Sequence, residues 1–89
     1  MTTRILRIVN EKGLHARASA KFVEKVEASE ATCMVTRDGM RVSGDSIMGL
    51  LMLGAVKGTT IEVETAGPGA EALADALESL VAQRFGEEY

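Results

Sequence analysis

The segment Gly13-Leu14-His15-Ala16-Arg17 separates a predicted first strand from a predicted first helix and fixes the order of the elements around it. Residues Arg4 to Val9 are rich in Ile, Leu and Val, which is typical of a strand. Residues Ala16 to Val26 have apolar side chains at helical spacing. These apolar positions are Ala16, Ala20, Phe22, Val23 and Val26. A glycine bend between strand and helix therefore carries the only histidine of the 89 residues.

Three more strands are predicted from alternating patterns. Residues Thr32 to Thr36 place Cys33 and Val35 on one face, and residues Met40 to Ser43 form the return strand. The dipeptide Asp38-Gly39 between them is a strong hairpin signal. Residues 60–65 alternate Ile and Val with Glu, which is typical of a strand with one buried face.

Two more helices complete the chain. A short helix is predicted over Ser46 to Leu53, with Ser46 as its N-cap and Gly54 as its C-terminal cap. Gly67-Pro68-Gly69 interrupts the chain, and a last helix is predicted over Ala70 to Arg84. One stripe of this helix contains Leu73, Leu77, Leu80, Val81 and Arg84.

The order β-α-β-β-α-β-α predicts an α+β fold, with an antiparallel sheet and the helices on one side. A chain of 89 residues makes one domain, here residues 1–89. It is too small for a deep substrate cleft plus a cofactor, so no cofactor is expected.

Composition excludes several classes of function. A net charge of −3 and only three aromatic residues argue against a nucleic-acid partner. The single cysteine, Cys33, cannot form an intramolecular disulfide, and one Cys with one His makes a metal site unexpected. The N-terminus has no apolar signal region, and the longest apolar run, Ile47 to Val56, is about half a membrane span. We therefore expect a soluble cytoplasmic protein, a monomer without membrane insertion.

His15 and Arg17 suggest a site for a phosphoryl group on a nitrogen. A neutral imidazole is a good nucleophile near neutral pH. The backbone N–H groups of Ala16 and Arg17 would have no intrahelical partner and lie at the positive end of the helix dipole. The Arg17 guanidinium would add a charge-assisted hydrogen bond. The alternative is that His15 is a simple N-cap and Arg17 a solvated charge.

The Ser46 helix is apolar nearly all round. If it packs on one side of a sheet, Ile47, Met48 and Leu51 would form an exposed patch that binds a partner. The alternative is a deeply buried helix. Ser46 itself is either a plain N-cap or a phosphorylation site, because phosphate is favoured at a helix N-terminus.

Together, Gly13-Leu-His-Ala-Arg17 and Ser46-Ile-Met-Gly49 followed by Leu53-Gly54 resemble the HPr family of histidine phosphocarriers. The family belongs to the bacterial phosphoenolpyruvate:sugar phosphotransferase system, and the resemblance covers nearly the whole chain. It implies an open-faced β-sandwich with strand order 1-4-2-3 and three helices on one face. The chain could be a regulatory or nitrogen-branch member.

The resemblance implies a role for each candidate residue. His15 would accept phosphate at Nδ1 from phospho-enzyme I and pass it to an enzyme IIA domain, with Arg17 and the Ala16 amide supporting the phosphoryl group. Ser46 would be phosphorylated by HPr kinase/phosphorylase, and Ile47, Met48 and Leu51 would belong to the docking surface. His15 would then be a transient covalent acceptor rather than part of an enzyme that acts alone.

Two residues depart from the family pattern. The active-site helix usually continues Arg-Pro-Ala, whereas here Ala18 stands in place of the proline, which restores an N–H donor and loosens the turn. The rate of transfer and the lifetime of the phosphohistidine would change accordingly. Asp45 lies beside Ser46, where a basic residue would better offset a phosphate.

Three functions follow as hypotheses. The first is the phosphocarrier, with either sugar permeases or nitrogen-related proteins as acceptors. The second is a regulatory binding protein controlled through Ser46, with little or no role in sugar transport. The third is a small ligand-binding sandwich without phosphotransfer, which no basic or aromatic cluster favours.

Overall fold

The computed structural model describes residues 1–89 as a four-stranded antiparallel sheet that is covered by helices on one face. The strands are β1 (Thr2–Arg7), β2 (Thr32–Arg37), β3 (Met40–Ser43) and β4 (Thr60–Ala66). The helices are α1 (Ala16–Glu27), α2 (Ile47–Met52) and α3 (Ala70–Ala82), and a short 3₁₀ turn covers Arg84–Gly86. The strand order is β1-β4-β2-β3, so the predicted element order and sheet topology are confirmed.

The sheet has one buried and one open face because its strands alternate as the sequence predicts. In β4, Ile61, Val63 and Thr65 are buried, whereas Glu62 and Glu64 are only partly covered. The Thr65 hydroxyl is tolerated inside because it donates to the Ala70 carbonyl at 2.7 Å. The Asp38-Gly39 turn has positive φ at both residues, as a type I′ hairpin requires.

Nineteen buried residues form one hydrophobic cluster between the sheet and the helices. Each helix contributes a fully buried side chain to it: Phe22 from α1, Leu50 from α2 and Leu77 from α3. Helices α1 and α2 contact each other, and α2 also contacts β3. This packing places the first turn of α1 close to the segment that follows α2.

Strand β1 and the first turn of α1 differ in detail from the sequence pattern. Strand β1 lies two residues earlier than predicted. The Ile8 N–H still donates a hydrogen bond to the Thr59 carbonyl, just beyond the paired residues of β1 and β4. Ala16 is exposed, while Ala18 and Ser19 face the core. A serine is accepted there because its hydroxyl donates to the Leu14 carbonyl at 3.3 Å.

The end of the last helix also differs from the prediction. Helix α3 stops at Ala82, and Arg84 is exposed instead of continuing the apolar stripe. Arg84, Phe85 and Gly86 all have positive φ, at 59°, 55° and 79°. This reversal of the chain buries Phe85 completely. Burying a Phe side chain contributes up to about 3 kcal/mol, which offsets left-handed backbone at two non-glycine residues at about 1 kcal/mol each.

Candidate functional site

His15 occupies the N-cap of α1, and its backbone is held there by the loop before it. Gly13 has φ +65°, and a Cβ at that position would lie 2.5 Å from the Ala55 carbonyl oxygen, so only glycine fits. The next amide, Leu14 N–H, donates to that same oxygen at 2.9 Å. The Leu14 side chain is buried, and His15 is thereby left partly exposed, with 27% of its side chain accessible. The glycine bend therefore leaves the imidazole partly exposed at the surface.

The start of α1 offers unpartnered hydrogen-bond donors. The N–H groups of Ala16, Arg17 and Ala18 make no backbone hydrogen bond, and the His15 side chain does not cap the helix. No acidic side chain occupies the first turn. These free donors and the positive end of the helix dipole form a site that favours an anion.

The Arg17 guanidinium lies at the same helix end. Arg17 is exposed and makes no ion pair or side-chain hydrogen bond. It borders a surface cavity of about 320 Å³. The other residues that line this cavity are Glu11, Lys12, Glu87, Glu88 and Tyr89. The structure thus brings His15, Arg17 and the free amides together at one site.

Glu87 is a site residue that the sequence analysis missed. Its Oε2 atom contacts Nε2 of His15, 72 residues earlier in the chain. Its Oε1 atom accepts from Nδ2 of Asn10 at 3.0 Å, and the same Nδ2 donates to the Gly13 carbonyl at 2.8 Å. Partial burial disfavours the charged form of Glu87, but hydrogen bonds from Asn10 and His15 outweigh it and lower the pKa of this carboxyl. With Nε2 engaged, Nδ1 is the ring nitrogen that remains free.

Ser46 is the N-cap of α2. Its Oγ accepts a hydrogen bond from the Gly49 N–H at 3.0 Å, so this amide of the first turn has a partner. Gly49 itself is required by packing, because a Cβ there would lie 2.9 Å from Cβ of Val42 on β3. Gly54 follows the helix with φ +61°, which fits the predicted C-terminal cap.

Helix α2 is not deeply buried. Only Leu50 of its six residues faces the core, while Met48 is 69% exposed. The exposed apolar side chains of the α2 patch are Ile47, Met48, Leu51, Met52 and Val56. Val56 directly follows Ala55, whose carbonyl holds Leu14, so the α2 patch adjoins the His15 loop. The predicted surface is therefore present, and two further residues extend it.

Comparison with known proteins gives matches over nearly the whole chain. A family model described as "PTS HPr component phosphorylation site" matches residues 2–83. The phosphocarrier protein HPr of Neisseria meningitidis serogroup A is 45% identical over 87 residues, which is 98% of each chain. A crystal structure of HPr-C-His from Thermoanaerobacter tengcongensis superimposes with a TM-score of 0.95 at 34% identity and covers all of both chains. A structure titled as an HPr dimer from the same organism matches with a TM-score of 0.77 at 33% identity, covering 98% of this chain and all of that one.

The fold and these matches define a phosphocarrier of the phosphotransferase system. The chain belongs to the HPr family. No helix in it combines the length and hydropathy that a membrane crossing requires.

Proposed function

We propose that this chain is an HPr that accepts a phosphoryl group at Nδ1 of His15 from phospho-enzyme I and passes it to an enzyme IIA domain. The observation that carries the proposal is the state of the His15 ring. Nε2 is engaged by Glu87, whereas Nδ1 is the nitrogen left for a new bond. In the transfer, the Nδ1 lone pair attacks phosphorus and the bond to the donor breaks.

The first turn of α1 provides the compensation that the phosphoryl group needs. The Ala16 and Arg17 amides donate to its oxygens, and the Arg17 guanidinium adds a charge-assisted bond. Ala18 supplies a third free N–H. Phosphoryl transfer depends mainly on such positioning and charge compensation, so this small site is sufficient.

The α2 patch docks the two partners. Ile47, Met48 and Leu51 are exposed next to the His15 loop, and methionine adapts to more than one apolar surface. One patch therefore serves enzyme I and enzyme IIA in turn. We propose that the chain, a single HPr domain over residues 1–89, acts as a cytoplasmic monomer. Light scattering that gives twice the chain mass would contradict the monomer.

The test uses the only histidine of the chain. Phosphoenolpyruvate and enzyme I should give an acid-labile, base-stable adduct that peptide mapping places on His15, and an enzyme IIA domain should discharge it. A folded His15→Ala variant that still accepts the label overturns the proposal. A wild-type chain that is never labelled overturns it equally.

A second candidate function is regulation through Ser46 by HPr kinase/phosphorylase, with or without a role in sugar transport. It is favoured by the position of Ser46, which is partly exposed at the edge of the α2 patch. The exposed carboxylate of Asp45, one residue before Ser46, would repel a phosphate at this position. The cognate kinase and ATP should give an acid-stable phosphate that Ser46→Ala lacks. An acid-stable phosphate on Ser46→Ala would place the modification elsewhere.

A further inference from the structure

Met48 and Met52 are the most exposed side chains of the α2 patch. Met48 is 69% exposed and Met52 is 65% exposed, whereas Leu51 is 37% exposed. The two methionines are four residues apart in one helix, so their side chains are neighbours on the same face. Two thioether side chains are therefore open to solvent, side by side, on the surface that adjoins the His15 loop.

The only thiol of the chain, Cys33, is shielded from solvent. Cys33 is 4% exposed, and a Cβ at Gly44 would lie 2.6 Å from its Sγ, so the backbone after β3 packs directly on the sulfur. Burial raises the pKa of this thiol to about 12, and the nearby carboxylate of Asp45 adds to the effect. The reactive thiolate is therefore scarce near neutral pH, and an oxidant meets exposed methionine sulfur first.

The other three methionines lie outside the α2 patch. Met1 precedes β1, at the opposite edge of the sheet from β3. Met34 alternates with the buried Cys33 and Val35 along β2, so it lies on the open face of the sheet and is partly covered there. Met40 begins β3. The chain therefore contains methionines that report on oxidation away from α2.

We propose that Met48 and Met52 form a reversible oxidation site that controls docking at the α2 patch, and the proposal rests on the function proposed above. The oxidant is a peroxide such as hydrogen peroxide. A lone pair of the thioether sulfur attacks one peroxide oxygen, the S–O bond forms and the O–O bond breaks. The sulfur loses two electrons, and the proton of the transferred oxygen goes to the departing hydroxide, which leaves as water.

The product changes the character of the patch without disturbing the fold. A sulfoxide is polar, so two flexible apolar side chains of the docking surface become hydrophilic. Only Leu50 of α2 faces the core, so the added oxygen atoms lie on the solvent side of the helix. A thiol-dependent methionine sulfoxide reductase returns the thioether and releases the oxygen as water, which makes the change reversible.

The first measurement is mass spectrometry of peptides after brief treatment of the folded protein with hydrogen peroxide. Met48 and Met52 should be oxidised well before Met34, and Cys33 should remain a thiol. Met1, which is 87% exposed, serves as the reference for a freely accessible methionine. Oxidation of Met34 as fast as that of Met48 and Met52 overturns the proposal. This readout needs no phosphotransfer, so it remains decisive even if enzyme I fails to label the unoxidised protein, the result that would refute the proposed function instead.

The second measurement is single-turnover transfer from phospho-enzyme I, made after the peroxide has been removed. Oxidation of the wild-type chain should raise the concentration of phospho-enzyme I at half-saturation about tenfold, because two side chains of the docking surface become polar. The rate at saturation should not change, because the His15 site is unaltered. Treatment with methionine sulfoxide reductase should restore the original half-saturation.

Two double variants locate the effect. Met48→Leu/Met52→Leu keeps an apolar patch of similar volume without sulfur, and Met34→Leu/Met40→Leu is the matched control that removes as many sulfur atoms outside the patch. Each protein is compared with its own unoxidised form, so a basal difference cancels. Peroxide should leave half-saturation unchanged in the first variant and raise it as in wild type in the second. An equal response of the two variants, no response of wild type, or a loss that the reductase does not reverse would overturn the proposal.

Discussion

Helices α1 and α2 have different N-cap residues. The difference distinguishes a helix end with free amides from one whose cap stabilises the helix. At α2, the Ser46 hydroxyl satisfies the Gly49 amide. At α1, His15 occupies the same position but leaves the amides of the first turn free. An N-cap side chain contributes about 1 kcal/mol to stability. Helix α1 forgoes that stabilisation and keeps its donors for an anion.

The largest expected effect comes from giving α1 the cap that α2 has. His15→Ser should abolish acid-labile phosphorylation, because no imidazole remains. Its free energy of unfolding should stay within about 1 kcal/mol of wild type, since the new cap offsets the lost contact with Glu87. Labelling by radioactive phosphoenolpyruvate and urea unfolding check the two parts. Acid-labile label on the folded variant would mean that the two helix ends do not differ in function as proposed.

Removing the guanidinium at α1 should have the next largest effect. Arg17→Ala should lower the equilibrium constant for transfer from phospho-enzyme I about tenfold, because a hydrogen bond to a charged group contributes about 1.5 kcal/mol. Stability should not change, since Arg17 is exposed and unpaired. Arg17→Lys is the control, and it should recover part of the loss by charge alone. Equal values for wild type and Arg17→Ala would remove the guanidinium from the proposed site.

A charge on the α2 patch should affect docking and leave the chemical step unchanged. Met48→Lys should raise the concentration of phospho-enzyme I at half-saturation about fivefold, the effect of losing roughly 1 kcal/mol of apolar contact. Ile5→Lys is the matched control, because Ile5 is 62% exposed on β1, at the far edge of the sheet, and faces Glu62. If both variants behave alike, the patch is not the docking surface. A slower transfer step at saturation in Met48→Lys would mean that α2 also contributes to the chemistry.

Removing the cap of α2 should lower stability without loss of phosphotransfer. Ser46→Ala should reduce the free energy of unfolding by about 1 kcal/mol, because the Gly49 amide loses its acceptor. This corresponds to a decrease in Tm of about 4–8 °C for a domain of this size. Differential scanning calorimetry gives the value, and enzyme I-dependent labelling of His15 should proceed at the wild-type rate. A stable variant with slow labelling would contradict a structural role for the hydroxyl.

The smallest effect concerns pH. The pKa of Glu87 is lowered in the folded state, so its ionised form stabilises the fold above the ordinary glutamate pKa, and this contribution is lost as pH falls through the folded-state value. Glu87→Gln should therefore be less stable than wild type by a few tenths of a kcal/mol near pH 7, with little difference near pH 3. Urea unfolding at both values measures it. A difference that grows toward low pH would show that the sign is wrong.

Patterns of neighbouring residues in the sequence were sufficient to predict most of the helices and strands. They also located the N-termini of α1 and α2. The Asp38-Gly39 turn and the alternation in β4 depend on neighbouring residues, and the structure confirms both. Composition and periodicity do not set the strand order 1-4-2-3, which came from the family resemblance. Alanine is too small to define a helix face: Ala16 fits the apolar spacing but is exposed, whereas Ala18 and Ser19 lie in the core.

Glu87 was missed because nothing near it in the sequence indicates its partner. The contact with His15 spans 72 residues and depends on the reversal at Arg84 and Phe85. By spacing alone, Arg84 continues the stripe of Leu77 and Val81, so the periodicity predicts helix where the chain turns back. Burial of Phe85 decides the outcome, and it is a tertiary effect.

The buried Phe85 also imposes a length requirement on the segment that follows it. Glu87 is two residues beyond this fixed point, and the Tyr89 carbonyl meets Glu11 two residues further on. One residue inserted between Phe85 and Glu87 would leave the core intact while moving the carboxylate away from the imidazole. A single glycine with φ +79°, Gly86, separates the two residues, so the number of residues after Phe85 decides whether the carboxylate reaches the imidazole.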